Sequence, residues 1–243
     1  ACDPYAKAVG VNGERAMVID LTSTDPEGWE DDKNPNADLK INDVIIYEAH
    51  IRDMTIHAQS GAKNKGKFLG LAEEGTVNSA GDSTGLDYIA SLGVTHVHLL
   101  PFYDYASVDE ENVDGKEYNW GYDPKNYSSP EGSYSTDPFN GEVRVKELKQ
   151  MIQAFHRKGL SVVMDVVYNH TYDSADSNLN KIMPGYYYKL NSDKAFNNQS
   201  GCGNATRSES AMYRKYMIDS LTYWAEEYNL DGFRFDLMGI HDV

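Results

Sequence analysis

The chain has 243 residues, a hydrophobic fraction of 40% and a formal net charge of −16. The hydrophobic and charged fractions are typical of globular proteins and argue against a disordered chain. Nucleic acid and anionic membranes both attract clustered lysine and arginine, so the negative net charge argues against either as a main partner. No apolar run approaches the roughly 18 residues that a membrane span needs.

The first 42 residues are predicted to precede the main domain. Residues 1–22 hold the pair Asn12-Gly13 between two loosely alternating stretches, which predicts a hairpin of two strands around a tight turn. We interpret this hairpin as the end of a small β domain. Residues 23–42 are rich in proline, glycine and acidic residues, and they are predicted to form a linker.

Strands and helices alternate from residue 43 onwards. Apolar runs predict four strands, at 43–51, 94–101, 160–170 and 230–237. Helical patterns lie between them, at 84–93, 142–159 and 209–229. The middle helix carries apolar residues at helical spacing, namely Leu148, Met151, Ile152 and Phe155. This alternation predicts an α/β fold with a parallel sheet.

The loops after the predicted strands are long and polar, whereas the loops before them are short. This asymmetry favours a (β/α)8 TIM barrel, in which the chemistry lies at the carboxyl ends of the strands. An open doubly wound sheet is the alternative, but it is expected to carry a glycine-rich phosphate loop after its first strand, and EAHIRDMT has no glycine.

Residues 43–243 are too short for a complete barrel, which needs eight strands and about 250 residues. They hold four predicted strands. We therefore interpret them as the first four β/α units of the barrel. The remaining half is expected in downstream sequence or in a companion chain.

Polar residues cluster at the ends of two predicted strands. The third strand ends with Asp165, Asn169 and His170, and the fourth ends with Arg234 and Asp236. Arg234 and Asp236 are two residues apart and share one face of the strand. A neighbouring guanidinium keeps a carboxylate ionised, which suits a nucleophile or a stabiliser of positive charge. A buried structural ion pair has the same spacing, and spacing alone favours it.

The loop after the second strand contains YNWGYDP, residues 118–124. Trp120 and Tyr122 beside Asn119 on a glycine-containing loop fit a carbohydrate platform, because aromatic rings pack on sugar C–H groups. Simple loop packing fits equally well. The histidines do not predict zinc, since His96 and His98 lie inside a predicted core strand with no third ligand in register.

Four motifs together resemble the α-amylase family of glycoside hydrolases. DVVYNH and GFRFDLM are similar to its first and second signature regions, and GVTHVHLLP is similar to its second barrel strand. YNWGYDP resembles the marker of type I pullulanases, which cut α-1,6-glucosidic linkages in pullulan and branched starch. The resemblance covers about residues 40–243. It implies that residues 1–22 end a starch-binding-like β-sandwich domain.

The resemblance also implies roles for single residues. Asp236 matches the catalytic nucleophile, and Arg234 matches the arginine that holds it ionised. His170 matches a histidine that binds the sugar in subsite −1, Tyr122 an aromatic that stacks under that sugar, and Asp165 an aspartate at the base of the site. Trp120 and Asn119 are implied to shape the branch-point pocket. Asn169 matches an asparagine that binds structural calcium in many α-amylases; no cofactor is otherwise required.

The implied reaction is retaining hydrolysis of an α-glucan. It needs a second carboxyl group as general acid, about 5–5.5 Å from the nucleophile. No glutamate of this chain matches the motif of that acid, and the family gives Glu48, at the end of the first strand, no such role. The chain alone is therefore expected to be inactive. A non-catalytic glucan-binding fragment and an isoamylase- or neopullulanase-like enzyme are the alternatives, and YNWGYDP argues against the latter.

Overall fold

A computed structural model describes residues 1–112 and 117–241 of the protein. Its described strands are β1 Ile46–Ala49, β2 His96–Leu99, β3 Tyr103–Tyr105, β4 Pro124–Pro130, β5 Ser161–Val166 and β6 Gly232–Phe235. Its described α-helices are α1 Phe68–Ala72, α2 Gly85–Ser91, α3 Gly141–Arg157, α4 Asn178–Ile182 and α5 Ala211–Glu227. None of these helices has both the length and the apolarity to cross a membrane.

Four of the strands form one parallel sheet, in the order β1-β2-β5-β6. Each lies within one of the four predicted apolar runs, so the predicted α/β fold with a parallel sheet is confirmed. The strands neighbour one another in chain order, without the reversal that marks a doubly wound sheet. Their side chains on one face, including Val97, Leu99, Val162 and Met164, are fully buried.

The predicted loop between β2 and α3 contains two further strands. Here β3 and β4 pair antiparallel, with register shifts on both sides of Asp104. Their tyrosines Tyr103, Tyr105 and Tyr127 are almost completely buried. The prediction of a long loop missed these two strands because proline and asparagine interrupt the apolar pattern of β4, and the pairing depends on burial against α3 and α5.

Helix α3 begins where Asn140 accepts a hydrogen bond from the Glu142 amide at 3.0 Å. An asparagine in this position satisfies one of the free amides of the first turn. The predicted stripe of Leu148, Met151 and Ile152 is fully buried against the sheet. Lys149, Gln153 and His156 are buried as well, because residues of the segment before β1 contact them on the outer side of the helix.

The segment before β1 contacts the rest of the chain at many points between Cys2 and Asn36. The predicted hairpin is reduced to a single bridge, Val9 with Ala16, closed by a turn in which Asn12 and Gly13 have φ of 57° and 62°. A Cβ on Gly13 would lie 2.3 Å from Asp104 Oδ2, so the turn requires glycine. Assignment of residues 1–22 to a β-sandwich stays a prediction.

Two buried cations of α3 hold residues 23–42 in place. Lys149 Nζ lies 2.5 Å from Asp25 and also contacts Glu227. His156 Nδ1 lies 2.7 Å from Asp32, and its Nε2 lies 3.0 Å from Asp231. Burial opposes the charge on His156, but the hydrogen bonds to Asp231 and Asp32 outweigh it and raise the pKa to about 9. The predicted linker is therefore fastened to the domain.

We expect His156→Gln to destabilise the protein in a pH-dependent way. A histidine whose pKa rises on folding from about 6.5 to about 9 stabilises the fold fully below pH 6.5, and loses that effect as the pH rises through 9. Thermal unfolding should show a deficit of at least about 4 °C near pH 6 that shrinks above pH 9. The exposed control His57→Gln should show no such trend, and a deficit that grows with pH would contradict the assignment.

Candidate active site

A stripe of polar side chains crosses the carboxyl ends of the four parallel strands. The register pairs Glu48 on β1 with His98 on β2, and Asp165 on β5 with Arg234 on β6. Paired residues of a parallel sheet project to the same side, and alternate residues along a strand share a face. The strand periodicity thereby brings four polar side chains from four strands to one edge of the sheet.

Asp165 is the centre of this stripe, and its carboxylate is completely buried. Oδ2 accepts hydrogen bonds from Tyr122 Oη at 2.6 Å and from His98 Nε2 at 3.0 Å. Arg234 Nη1 lies 3.1 Å from Oδ1 and 3.2 Å from Oδ2. Burial and the bond to Asp165 raise the pKa of the Tyr122 hydroxyl far above its usual value, so Tyr122 remains a donor at neutral pH.

Asp236 follows β6 and is only partly buried. Arg234 Nη1 donates to its Oδ1 at 3.0 Å, and Asn169 Nδ2 donates to its Oδ2 at 3.0 Å. The Asp236 amide donates to the Val166 carbonyl at 2.9 Å, which continues the pairing of β5 and β6 by one residue. The carboxylate is thus fixed by one donor on each oxygen, and 17% of its side chain stays exposed.

His170 lies between the end of β5 and the YNWGYDP loop. Its Nδ1 is 2.5 Å from Asn169 Oδ1, and its Nε2 is 2.9 Å from the Tyr122 carbonyl oxygen. Burial lowers the pKa of His170, against the opposing effects of the Tyr122 carbonyl and Asp236. The ring therefore favours its neutral form at pH 7 while it ties the loop to the strand end.

Both groups of the Asn169 side-chain amide have protein partners. Its amide nitrogen donates to the carbonyl and carboxylate oxygens of Asp236, and its amide oxygen contacts the His170 ring. Ca²⁺ takes six to eight oxygen ligands, whereas the neighbour of this oxygen is a ring nitrogen. The calcium role of Asn169 stays a prediction.

A second group of acidic residues lies between β3 and α3. Asp104, Glu110 and Glu131 are buried, and their oxygens lie within 4.8 Å of one another, so the group could hold a metal ion. Arg144 already contacts this group, with Nη2 at 2.5 Å from Glu110 and Nη1 at 3.4 Å from Asp104. Burial and the charge of Glu110 raise the pKa of Asp104 to about 7. Arg144 therefore offsets part of the negative charge of this group.

The YNWGYDP loop is held in one conformation from within. Gly121 has a φ of 91°, and a Cβ there would lie 2.6 Å from the Pro101 carbonyl oxygen, so only glycine fits. Asn119 is buried; its amide donates to the Ala106 carbonyl at 2.6 Å and to Asp123 at 2.9 Å, and accepts from the Gly121 amide at 2.8 Å. Asn119 therefore builds the loop, and its contact with substrate stays a prediction.

Trp120 is an exposed residue of this loop, with 60% of its surface accessible. Its ring centroid lies 5.4 Å from that of Tyr122, in an edge-to-face arrangement. An exposed tryptophan beside a half-buried tyrosine presents apolar surface of the kind that packs on sugar rings.

Six of the predicted residues form one connected cluster, namely Tyr122, Asp165, Asn169, His170, Arg234 and Asp236. Trp120 and Asn119 adjoin it through the loop. Sequence reasoning missed His98 and Glu48, which it treated as a core histidine and as a residue without a role. The signal that could have found them is a charged or titratable residue inside each of two apolar strands, on the face that Asp165 shares.

Comparisons with known proteins agree with this geometry. Residues 52–197 match the alpha-amylase family, in its catalytic domain. The chain is 47% identical over 242 residues to a pullulanase of Bacillus subtilis. This alignment covers 99% of the chain and 33% of the Bacillus subtilis protein. The chain therefore spans about a third of the length of this curated relative.

Solved structures of pullulanases share the fold. The chain matches pullulanase from Paenibacillus barengoltzii in complex with maltohexaose and alpha-cyclodextrin, with a TM-score of 0.97 and 56% identity over 100% of this chain and 38% of that chain. It matches pullulanase from Anoxybacillus sp. LM18-11 complexed with maltotetraose, with a TM-score of 0.93 and 49% identity over 100% of this chain and 35% of that one. By its family match and these alignments, the chain belongs to the alpha-amylase catalytic-domain family.

Proposed function

We propose that this chain supplies the nucleophile side of a retaining glycoside hydrolase that cleaves α-1,6-glucosidic linkages in pullulan and branched starch- or glycogen-type glucans. The observation that carries the proposal is the Asp236 carboxylate, which Arg234 and Asn169 hold at the end of β6 beside Tyr122 and His170. The similarity to pullulanases, two of them solved with maltooligosaccharides, supports the α-glucan substrate.

In the proposed reaction, an Asp236 oxygen forms a bond to the anomeric carbon as the glycosidic C–O bond breaks. A general acid protonates the departing oxygen, and water activated by the same residue then cleaves the glycosyl-enzyme with retention of the α configuration. Arg234 offsets the charge of the nucleophile, and Tyr122 packs under the sugar in subsite −1. His170 binds that sugar and Trp120 shapes the branch-point side.

The general acid is proposed to come from the other half of a (β/α)8 barrel. The sequential strand order supports a barrel wall, and among the described residues β1 and β6 each pair on one side only. The 33% coverage of the Bacillus subtilis relative is consistent with further barrel strands beside these two edges. Glu48 is an unsuitable acid because it lies on β1 beside His98, whereas Asp236 follows β6 at the other edge of the sheet.

We expect Asp236→Asn to abolish hydrolysis by the complete gene product. Loss of the nucleophile should lower kcat on pullulan by roughly 10⁴-fold or more, since the covalent intermediate no longer forms. The exposed control Asp38→Asn should leave kcat unchanged. Maltotriose as the main product supports α-1,6 cleavage, whereas panose indicates the neopullulanase-like alternative. Inversion of configuration by NMR would falsify the proposed mechanism.

Residues 1–243 alone are expected to release no reducing sugar from pullulan, because they supply the nucleophile without the acid. Binding of maltotetraose without hydrolysis would fit both this prediction and the glucan-binding alternative. Hydrolysis by the purified chain that Asp236→Ala removes would contradict the prediction.

Tyr122 is expected to act through both its hydroxyl and its ring. Tyr122→Phe removes one donor from buried Asp165 and should lower kcat/KM about 10-fold. Tyr122→Ala also removes the sugar-packing surface and should raise KM by a further roughly 3- to 10-fold. Tyr88→Phe, on α2, serves as the matched control. Equal kcat/KM for Tyr122→Phe and the wild type would contradict a role of the Tyr122 hydroxyl in the proposed site.

A further inference from the structure

His98 occupies the position between two carboxylates from neighbouring strands. Its Nε2 lies 3.0 Å from Asp165 Oδ2, and its Nδ1 lies 3.3 Å from Glu48 Oε2. The His98 side chain is 9% exposed, whereas Glu48 is 65% exposed. The ring thus connects the solvent-facing Glu48 with the fully buried centre of the site.

The two contacts determine how the ring lies. A contact at each nitrogen restrains rotation of the ring about χ2, and Nε2 is directed at Asp165. A partner at one ring nitrogen sets the direction in which the other nitrogen points. Glu48 therefore has the position of an orienting residue for His98.

Asp165 in turn shares Arg234 with Asp236. A single atom, Arg234 Nη1, contacts both oxygens of Asp165 and Oδ1 of Asp236 at 3.0–3.2 Å. Any rotation of the Asp165 carboxylate changes the direction in which this nitrogen can donate. His98 and Tyr122 both donate to Asp165 Oδ2. These two hydrogen bonds therefore restrain the rotation of the Asp165 carboxylate.

We propose that His98 is a positioning residue that, oriented by Glu48, fixes the Asp165 carboxylate and through it the contact of Arg234 with Asp236. His98 does not reach the substrate in this scheme. The inference deepens the proposed function and rests on it, because its kinetic effect requires Asp236 to be the nucleophile. The proposal gives Glu48 on β1 and His98 on β2 a role in the site, whereas the signature motifs assign no role to these two residues.

The kinetic test uses the complete gene product and three variants at β2. His98→Leu keeps the volume and removes the donor, and it should lower kcat on pullulan about 10- to 100-fold with KM within about 2-fold, as expected for misplacement of a reacting group. His98→Gln places an amide nitrogen near the former Nε2 and should restore kcat to within about 3-fold. The control His96→Leu, whose ring contacts the Thr95 hydroxyl instead, should match the wild type.

A purely structural role would give a different pattern. In that case His98→Leu and His98→Gln would lower the unfolding temperature and the amount of active enzyme, and kcat per folded molecule would stay at the wild-type value in both. Equal kcat for wild type and His98→Leu would overturn the proposal. Asp236→Asn measured in parallel separates the two ideas, because activity that survives this substitution contradicts the proposed function instead.

A crystal structure of His98→Leu provides a test that does not depend on activity. The proposal expects the Asp165 carboxylate to rotate and the Arg234 Nη1–Asp236 Oδ1 distance to lengthen from 3.0 Å beyond hydrogen-bond range. An unchanged arrangement of Asp165, Arg234 and Asp236 would refute the positioning role even if the variant were inactive.

Discussion

Burial of the Asp165 carboxylate is the constraint on which the geometry of the site depends. A buried carboxylate requires hydrogen-bond donors, since its loss of hydration is otherwise costly. Its donors come from three separate parts of the chain: Tyr122 in a long loop, His98 on β2 and Arg234 on β6. Satisfying this single group therefore holds the loop on the sheet, and it directs Arg234 towards Asp236.

A second set of buried charges supports the opposite, outer side of the sheet. Lys149 and His156 on α3 each join an aspartate of the segment before β1 to an acidic residue at the end of α5 or the start of β6. Removal of one partner of such a buried pair leaves an uncompensated charge, so these contacts strongly favour one placement of the segment.

Much of the fold and of the site followed from local patterns. The four parallel strands and the buried face of α3 were predictable because strand runs and helical spacing are properties of neighbouring residues. Asp165 and Asp236 were predictable from motifs at strand ends. The β3–β4 pair was not, since its tyrosines become buried only when α3 and α5 pack over them. His98 was missed because the role of a histidine in an apolar strand cannot be predicted until its spatial neighbours are known.

The sequence by itself determined the order of the elements, the residues at the strand ends and the resemblance to a glycosidase family. It left open whether Arg234 and Asp236 form a structural pair or part of a larger cluster. Only the tertiary structure decided that Arg234 is shared between Asp236 and a buried Asp165, and that Glu48 lies beside His98. The physical reason is that strand register and burial bring together residues that are far apart in the chain. A local sequence pattern carries no information about such contacts.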